Sequence, residues 1–349
     1  EDVDVLYDFI HSGKEEKRAY SNSVIRDKEM AEGMDRITGD YNNFWAGRDY
    51  LNDLKPLKAA VLLSHGLSDW NVMPEHSIRI YEAVKAKGVP AQLYLHQGGH
   101  GGPPPLPMMN RWFTRYLFGI ENGVEKDPRF FIVRENDQRD KPTAYADYPN
   151  PDAKPVNLFL TAGGIEKGGL VTEKAKKQGK EKLVDNFSFT GTALAQADIT
   201  NHRLIYATPV LTAPVHISGT AKITVKLASS KKAANLSVWL IALPWTEGRQ
   251  TKITDNLITR GWADPQNYKS LWKSEPLKPG KFYDVTFDLQ PDDQIIQAGK
   301  QIAVMIFSSD KDFTLWPDPG TELTIDLDGT SLTLPVVGGT EAFNKAIGK

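Results

Sequence analysis

The chain has 349 residues, of which 40% are hydrophobic and 25% charged, with 42 basic against 44 acidic residues and no cysteine. That length favours two domains over a single core, and the near-neutral balance gives no electrostatic reason to expect nucleic acid or anionic lipid as a partner. The lack of cysteine excludes disulfides and thiolate metal sites, and no apolar run approaches the roughly 18 residues a membrane helix needs.

In chain order, the sequence opens on Glu1-Asp2-Val3-Asp4. This start has neither an initiator Met nor the character of a signal peptide, so residues upstream of it are expected. Residues 1–40 are charged and weakly helical, with Val5, Leu6, Phe9 and Ile10 on one stripe, and read as a helical, cap or connecting segment. An aromatic-dense stretch follows at 41–51. Residues 59–63 form a short continuous apolar run, as expected of a strand covered on both faces. A helix is predicted over 74–87: Pro74 suits a first turn, Glu75 the N-terminus, Ile78, Tyr81 and Val84 share a face, and Gly88 and Pro90 stop it. Residues 91–96 read as a second strand and 98–102 as a glycine loop. Met109, Trp112, Phe113, Tyr116 and Leu117 mark one face of a second helix. Strand, helix, strand, helix implies a parallel sheet with crossover helices over 41–125.

After Gly119 helical periodicity disappears, and short runs alternate with Gly, Pro and Asp. This texture predicts a β-sandwich over 156–349, with 126–155 as a linker. The basic cluster at 174–182 reads as a solvated loop.

In a doubly wound sheet, functional groups sit just beyond the carboxyl ends of the strands. Asp69 follows the first strand after a Gly-containing turn, and His100 lies in the glycine loop after the second. Singly, Asp69 is equally a cap or turn residue and His100 a solvated loop histidine. Together, at two strand ends, they suit the acid and base of a serine-hydrolase triad, which α/β-hydrolases place in the chain order Ser, acid, His. A G-x-S-x-G elbow is absent: Ser68 has no following Gly at the right place, and Ser218-Gly219 lies in sandwich sequence. The nucleophile is therefore expected upstream of Glu1. His65 and His96, within or beside strand sequence, read as packing residues. No His-x-x-x-His helix or carboxylate cluster suggests a metal.

The string Gly66-Leu67-Ser68-Asp69-Trp70-Asn71-Val72, followed by Gln97-Gly98-Gly99-His100-Gly101, resembles the Xaa-Pro dipeptidyl-peptidases of lactic acid bacteria and streptococci. The resemblance covers essentially the whole chain. Residues 43–50 resemble the segment entering that family's acid-bearing strand. Ile258-Thr259-Arg260-Gly261-Trp262, Pro276-Leu277-Lys278-Pro279-Gly280 and Asp288-Leu289-Gln290-Pro291 resemble its jelly-roll domain, and these three strings also occur in cocaine-esterase-like hydrolases. The resemblance implies the C-terminal part of an α/β-hydrolase (41–125) followed by an all-β jelly-roll sandwich (156–349). It implies a serine exopeptidase that releases N-terminal Xaa-Pro dipeptides from proline-containing peptides, acting as a cytoplasmic homodimer without metal or cofactor. Asp69 is then the triad acid and His100 the triad base. Asn71 and Val72 match positions that border the pocket for the penultimate proline, and Phe44 and Trp45 are pocket candidates on aromatic content. The upstream part of the same enzyme would carry the serine, so this chain alone is expected to be inactive. Two rival readings stay open: a cocaine-esterase-like ester or amide hydrolase with the same triad, and a carbohydrate-binding jelly roll whose Trp262, Trp272 and Trp316 stack on sugars rather than pack the sandwich.

Overall fold

The structure, a computed structural model, describes residues 14–134, 137–246 and 256–349. The stripe of Val5, Leu6, Phe9 and Ile10 lies outside them. A helical stretch, Glu15–Tyr20, Ser21–Met30 and Ala31–Met34, opens the described chain.

The first sheet has four strands in sequential order. β1 (Val61–Gly66), β2 (Ala91–His96) and β3 (Phe130–Val133) run parallel, and β4 (Thr143–Tyr145) pairs antiparallel with β3. Helix α1 (Glu75–Ala86) crosses from β1 to β2, and α2 (Leu106–Phe118) from β2 to β3. α1 buries Ile78, Tyr81 and Val84, the face its 3.6-residue period predicts. Ile78 and Tyr81 join Leu93, Leu95, Phe130, Ile132 and Tyr148 in the core of this unit. β1 and β2 are in register from Val61 opposite Ala91 to Gly66 opposite His96, so both end at the same level. β1 is an edge strand whose pairing, among the described residues, is with β2 alone, and its first four residues are only half-buried.

The span 126–155, expected as a linker, contains β3 and β4 and so extends this sheet beyond β2. A four-residue apolar run between Pro128 and Arg134 is too short to show which sheet it joins. Pairing with β2 settles that.

Thirteen further strands form one hydrogen-bonded network. They are β5 (Ala153–Thr161), β6 (Gly168–Val171), β7 (Lys180–Val184), β8 (Arg203–Ala207), β9 (Val215–Gly219), β10 (Lys222–Ser229), β11 (Leu236–Leu243), β12 (Leu257–Ala263), β13 (Phe282–Asp288), β14 (Asp292–Ile296), β15 (Gln301–Phe307), β16 (Glu322–Asp326) and β17 (Ser331–Val337). All these pairings are antiparallel except β6 with β8. Alternate residues point into a shared core, for example Ile223, Val225 and Leu227 of β10 against Val304 and Ile306 of β15 and Leu332 and Leu334 of β17. A parallel α/β unit followed by a large antiparallel β region is the expected fold class. The end of the basic cluster is strand rather than loop: Lys180 and Lys182 belong to β7, where Lys182 Nζ meets Glu322 of β16 at 2.7 Å.

The two regions meet through buried polar groups. Arg134, after β3, pairs with the fully buried Asp293 of β14, and His216 of β9 lies 3.0 Å from the same carboxylate. The Tyr148 hydroxyl donates to the carbonyl of Asp292 at 3.1 Å. No helix among the described residues is long and apolar enough to cross a membrane.

Candidate active site

The loops that follow β1 and β2 continue the pairing of their strands. The N–H of Leu67 donates to the His96 carbonyl at 2.8 Å, and that of Ser68 to the Gly98 carbonyl at 3.1 Å. The first loop then turns back, with the Asp69 N–H on the Gly66 carbonyl at 3.1 Å. This places Asp69 under the second loop.

Asp69 is 4% exposed. Its Oδ1 accepts the backbone N–H groups of Asn71 (3.1 Å) and Val72 (3.0 Å), the local turn that a short acidic side chain favours. Its Oδ2 lies 2.9 Å from Nδ1 of His100. Burial alone would raise the Asp69 carboxyl, but the Val72 N–H, the His100 ring and the Asn71 N–H outweigh it and hold the pKa below its ordinary value. The group is thus a carboxylate that can only accept, so Nδ1 of His100 carries the proton and Nε2 is left as the basic nitrogen. The His100 side chain is 67% exposed. It opens onto a cleft of about 400 Å³ whose walls include Ser64, Asp69, Val72 and Gly102. An oriented imidazole with a free basic nitrogen, backed by a buried carboxylate, can take a proton from a hydroxyl and hand it to a leaving group.

Two further histidines act here in ways that sequence reading reduced to packing. His65 is buried beneath the acid loop. Its Nε2 donates to the Val72 carbonyl at 2.8 Å, and its Nδ1 meets the Ser77 hydroxyl of α1 at 2.6 Å. His96 is buried beneath the His100 loop: Nε2 donates to the Gly101 carbonyl at 2.6 Å, and Nδ1 accepts the Gly98 N–H at 3.1 Å. The His96 ring uses one nitrogen as donor and the other as acceptor, which fixes it as a neutral imidazole. Burial is the main cause that keeps His96 below its ordinary pKa of 6.5.

Of the expected substrate-binding residues, Val72 lines the Asp69–His100 cleft and is 41% exposed, and Asn71 is exposed beside it. Trp45 lines a separate cleft of about 440 Å³ with Tyr41, Arg48, Tyr50, His76 and Arg79. Phe44 is taken up by Arg48, whose guanidinium stands 3.4 Å from its ring centre, and by an edge contact with Trp45. The structure therefore brings Asp69, Val72 and His100 together and sets Phe44 and Trp45 apart. Among the described residues no group of three or more His, Asp or Glu is placed to hold a metal. Of the sandwich tryptophans, Trp262 stacks on Phe313 and donates to Asp310, whereas Trp272 and Trp316 are more than half exposed, against Tyr41 and Phe187.

Residues 1–102 match the family model described as X-Pro dipeptidyl-peptidase (S15 family), and residues 122–343 match that of the X-Pro dipeptidyl-peptidase C-terminal non-catalytic domain. A putative Xaa-Pro dipeptidyl-peptidase of Rhodopirellula baltica is 61% identical over 97% of this chain and 54% of its own length. The chain spans about half the length of the curated relatives it matches. Among solved structures, an aminopeptidase from a marine-sediment Thaumarchaeota archaeon superposes with a TM-score of 0.68 at 15% identity, covering 92% of this chain and 62% of that one. An α-amino acid ester hydrolase superposes with a TM-score of 0.67 at 17% identity and the same coverage. At such identities these two likenesses concern the fold alone.

Proposed function

The chain belongs to the X-Pro dipeptidyl-peptidase (S15) family, and we propose that it is the part of a serine exopeptidase that supplies the acid and base, Asp69 and His100, for release of N-terminal Xaa-Pro dipeptides. The observation that carries this is the 2.9 Å bond between the Asp69 carboxylate and Nδ1 of His100, at the level ends of two adjacent parallel strands. In the reaction, Nε2 of His100 removes the proton of a serine hydroxyl as it attacks the carbonyl of the proline residue, forming an acyl-enzyme. The same proton then passes to the departing amine, and a water deprotonated by Nε2 in turn hydrolyses the acyl-serine, which releases the dipeptide and restores the serine. Asp69 holds the ring in the required tautomer and stabilises it while it is charged.

The serine comes from outside this chain: the sequence holds no G-x-S-x-G elbow, and relatives are about twice as long. The half-buried open edge of β1 suits a further strand of the same sheet, which would bring that serine beside the cleft. Val72, and Asn71 beside it, border the subsite for proline. A cytoplasmic homodimer is the assembly that the family resemblance implies.

The test is an assay of this chain and of the protein extended upstream, on an Xaa-Pro-nitroanilide and on simple esters. The extended protein should cleave the anilide, and this chain alone should neither cleave it nor be labelled at a serine by a fluorophosphonate. Turnover of simple esters without Xaa-Pro cleavage would overturn the exopeptidase reading. Single-site fluorophosphonate labelling of the isolated chain would overturn the division of the triad.

A further inference from the structure

The string Ile258-Thr259-Arg260-Gly261-Trp262 forms most of β12 in the sandwich, yet Arg260 turns toward the α/β unit. Arg260 is 4% exposed. Its guanidinium carbon stands 3.9 Å from the ring centre of Trp70, the residue that follows Asp69, and 3.7 Å from that of Phe313 on the sandwich side. Trp262 and Trp239 complete the box at 5.3 and 5.5 Å. Their indole N–H groups both donate to Asp310, at 3.0 and 2.9 Å, which puts a carboxylate behind the aromatic walls. Burial lowers the Arg260 pKa to about 10, so the group is still a cation at neutral pH.

The neighbours of Arg260 fix the same strand in place. The Thr259 hydroxyl donates to the Gln290 carbonyl at 2.8 Å, and the Gln290 N–H returns to the Arg260 carbonyl at 2.8 Å. A Cβ on Gly261 would stand 2.9 Å from the Asp288 carbonyl oxygen, so only glycine lets β12 approach the 288–290 segment this closely. From that segment the Gln290 side chain accepts the N–H of Glu75 at the start of α1 (3.3 Å), and Gln97, which opens the His100 loop, donates to the Gln294 side chain at 2.6 Å and the Asp293 carbonyl at 3.0 Å. The sandwich thus touches the acid loop, the helix that follows it and the base loop.

We infer that Arg260 is a positioning residue of the site: clamped between Phe313 and Trp70, it sets the acid loop so that the Asp69 carboxylate meets Nδ1 of His100. The inference rests on the reading of Asp69 and His100 as acid and base only for its consequence in turnover. The geometric part stands or falls by itself.

The experiment follows the His100 Nδ1 proton by NMR in this chain with isotope-labelled histidine, in Arg260→Met, Arg260→Lys, Trp70→Leu and the Arg260→Met/Trp70→Leu double variant. Trp70→Leu keeps the test available should Arg260→Met not fold, because Trp70 lies on the loop and is only partly buried. The stability control is Tyr206→Phe, which removes a 2.6 Å hydrogen bond to Glu181 elsewhere in the sandwich. Exchange of the His100 proton with water should rise roughly tenfold in Arg260→Met and Trp70→Leu, the scale on which a desolvated cation–π contact acts. Arg260→Lys, which keeps the charge but loses the planar stack, should fall between. The double variant should be no worse than either single, and Tyr206→Phe should leave the signal in place. An unchanged His100 signal in folded Arg260→Met and Trp70→Leu overturns the inference. In the extended enzyme the same variants should lower kcat with little change in KM. If His100→Ala there keeps its turnover while Arg260→Met still moves the proton signal, the catalytic reading falls and the positioning role stands.

Discussion

Gly66 and Gly99 lie so close that a Cβ on Gly66 would stand 2.3 Å from the Gly99 carbonyl oxygen, and 2.4 Å from that of Gly98. Both obstacles are backbone, so no side chain can swing away to make room. Gly66→Ala is therefore expected to push the His100 loop off the end of β1, at a stability cost of about 1–3 kcal/mol, the range of overpacked sites. Chemical denaturation gives the cost. The His100 Nδ1 proton signal shows whether the loop has moved. A variant of normal stability with an intact signal would mean that the two loops are not packed as described.

If Asp69 and His100 are the acid and base as proposed, they should fail as one unit. In the extended enzyme, His100→Ala removes the proton acceptor, and Asp69→Asn favours the wrong tautomer, a change that costs about 10⁴-fold in kcat in a serine-protease triad. Both should depress kcat far more than they raise KM, and the double variant should be hardly worse than His100→Ala. Near-normal turnover by folded His100→Ala would remove this loop from the mechanism.

His96 and Asp69 each link stability to pH, in separate windows. Folding lowers the His96 pKa from 6.5, so below that value the unfolded chain binds more protons and stability rises with pH. The His96 contribution is complete above 6.5 and is lost as pH falls toward the folded value. Asp69 follows the same sign from 3.8 downward. Melts of His96→Gln against the parent should show a shallower pH slope just below 6.5, while the slope below 3.8 is shared. Parallel curves across the upper window would contradict a buried, neutral His96.

Asp293 should be worth much more than a surface pair. It is 0% exposed, and its partner Arg134 only 12%. Asp293→Ala leaves that guanidinium without its carboxylate, which costs about 3–5 kcal/mol for a buried pair broken on one side. Lys182→Ala removes one end of an exposed bridge to Glu322 and should cost under about 1 kcal/mol. Urea midpoints of the two variants test the contrast, and equal shifts would refute it.

Period alone made some elements legible: α1 buries the face its period marks, whereas α2 buries only Trp112 of its apolar face and leaves Phe113 and Leu117 exposed. β2 and α1 follow their apolar patterns almost to the residue, and the loops after β1 and β2 are marked by glycine. Elements held by partners far away in the chain left no such mark. β14, Asp292–Ile296, opens on two acids and a glutamine that are nonetheless buried, because Arg134, His216, Tyr148 and Gln97 come to meet them. β7 reads as a solvated lysine run because Lys180 and Lys182 point outward, while Leu183 faces the core and Glu181 beside it takes the Tyr206 hydroxyl. At the site, the spacing of Asp69 and His100 could be read directly. The hydrogen bonds of His65 and His96 could not, since a ring beside a strand looks the same in sequence whether it packs or ties two loops. Arg260 over Trp70 is the extreme case: two residues in different folding units, with nothing local to connect them.

Under the proposed division of the triad, the edge of β1 that is unpaired among the described residues would determine where the nucleophile arrives. A parallel strand laid beside it would end level with Gly66 and His96, so the loop that follows it would reach His100 without further search. If the proposed function holds, this chain and a complement carrying that strand would behave as a split enzyme. Turnover would grow with the product of the two concentrations until every edge is occupied. The half-buried Val61, Leu62 and Leu63 that welcome the strand would also make the lone chain prone to pair with copies of itself, so dilution and salt would set how much of it stays ready to assemble.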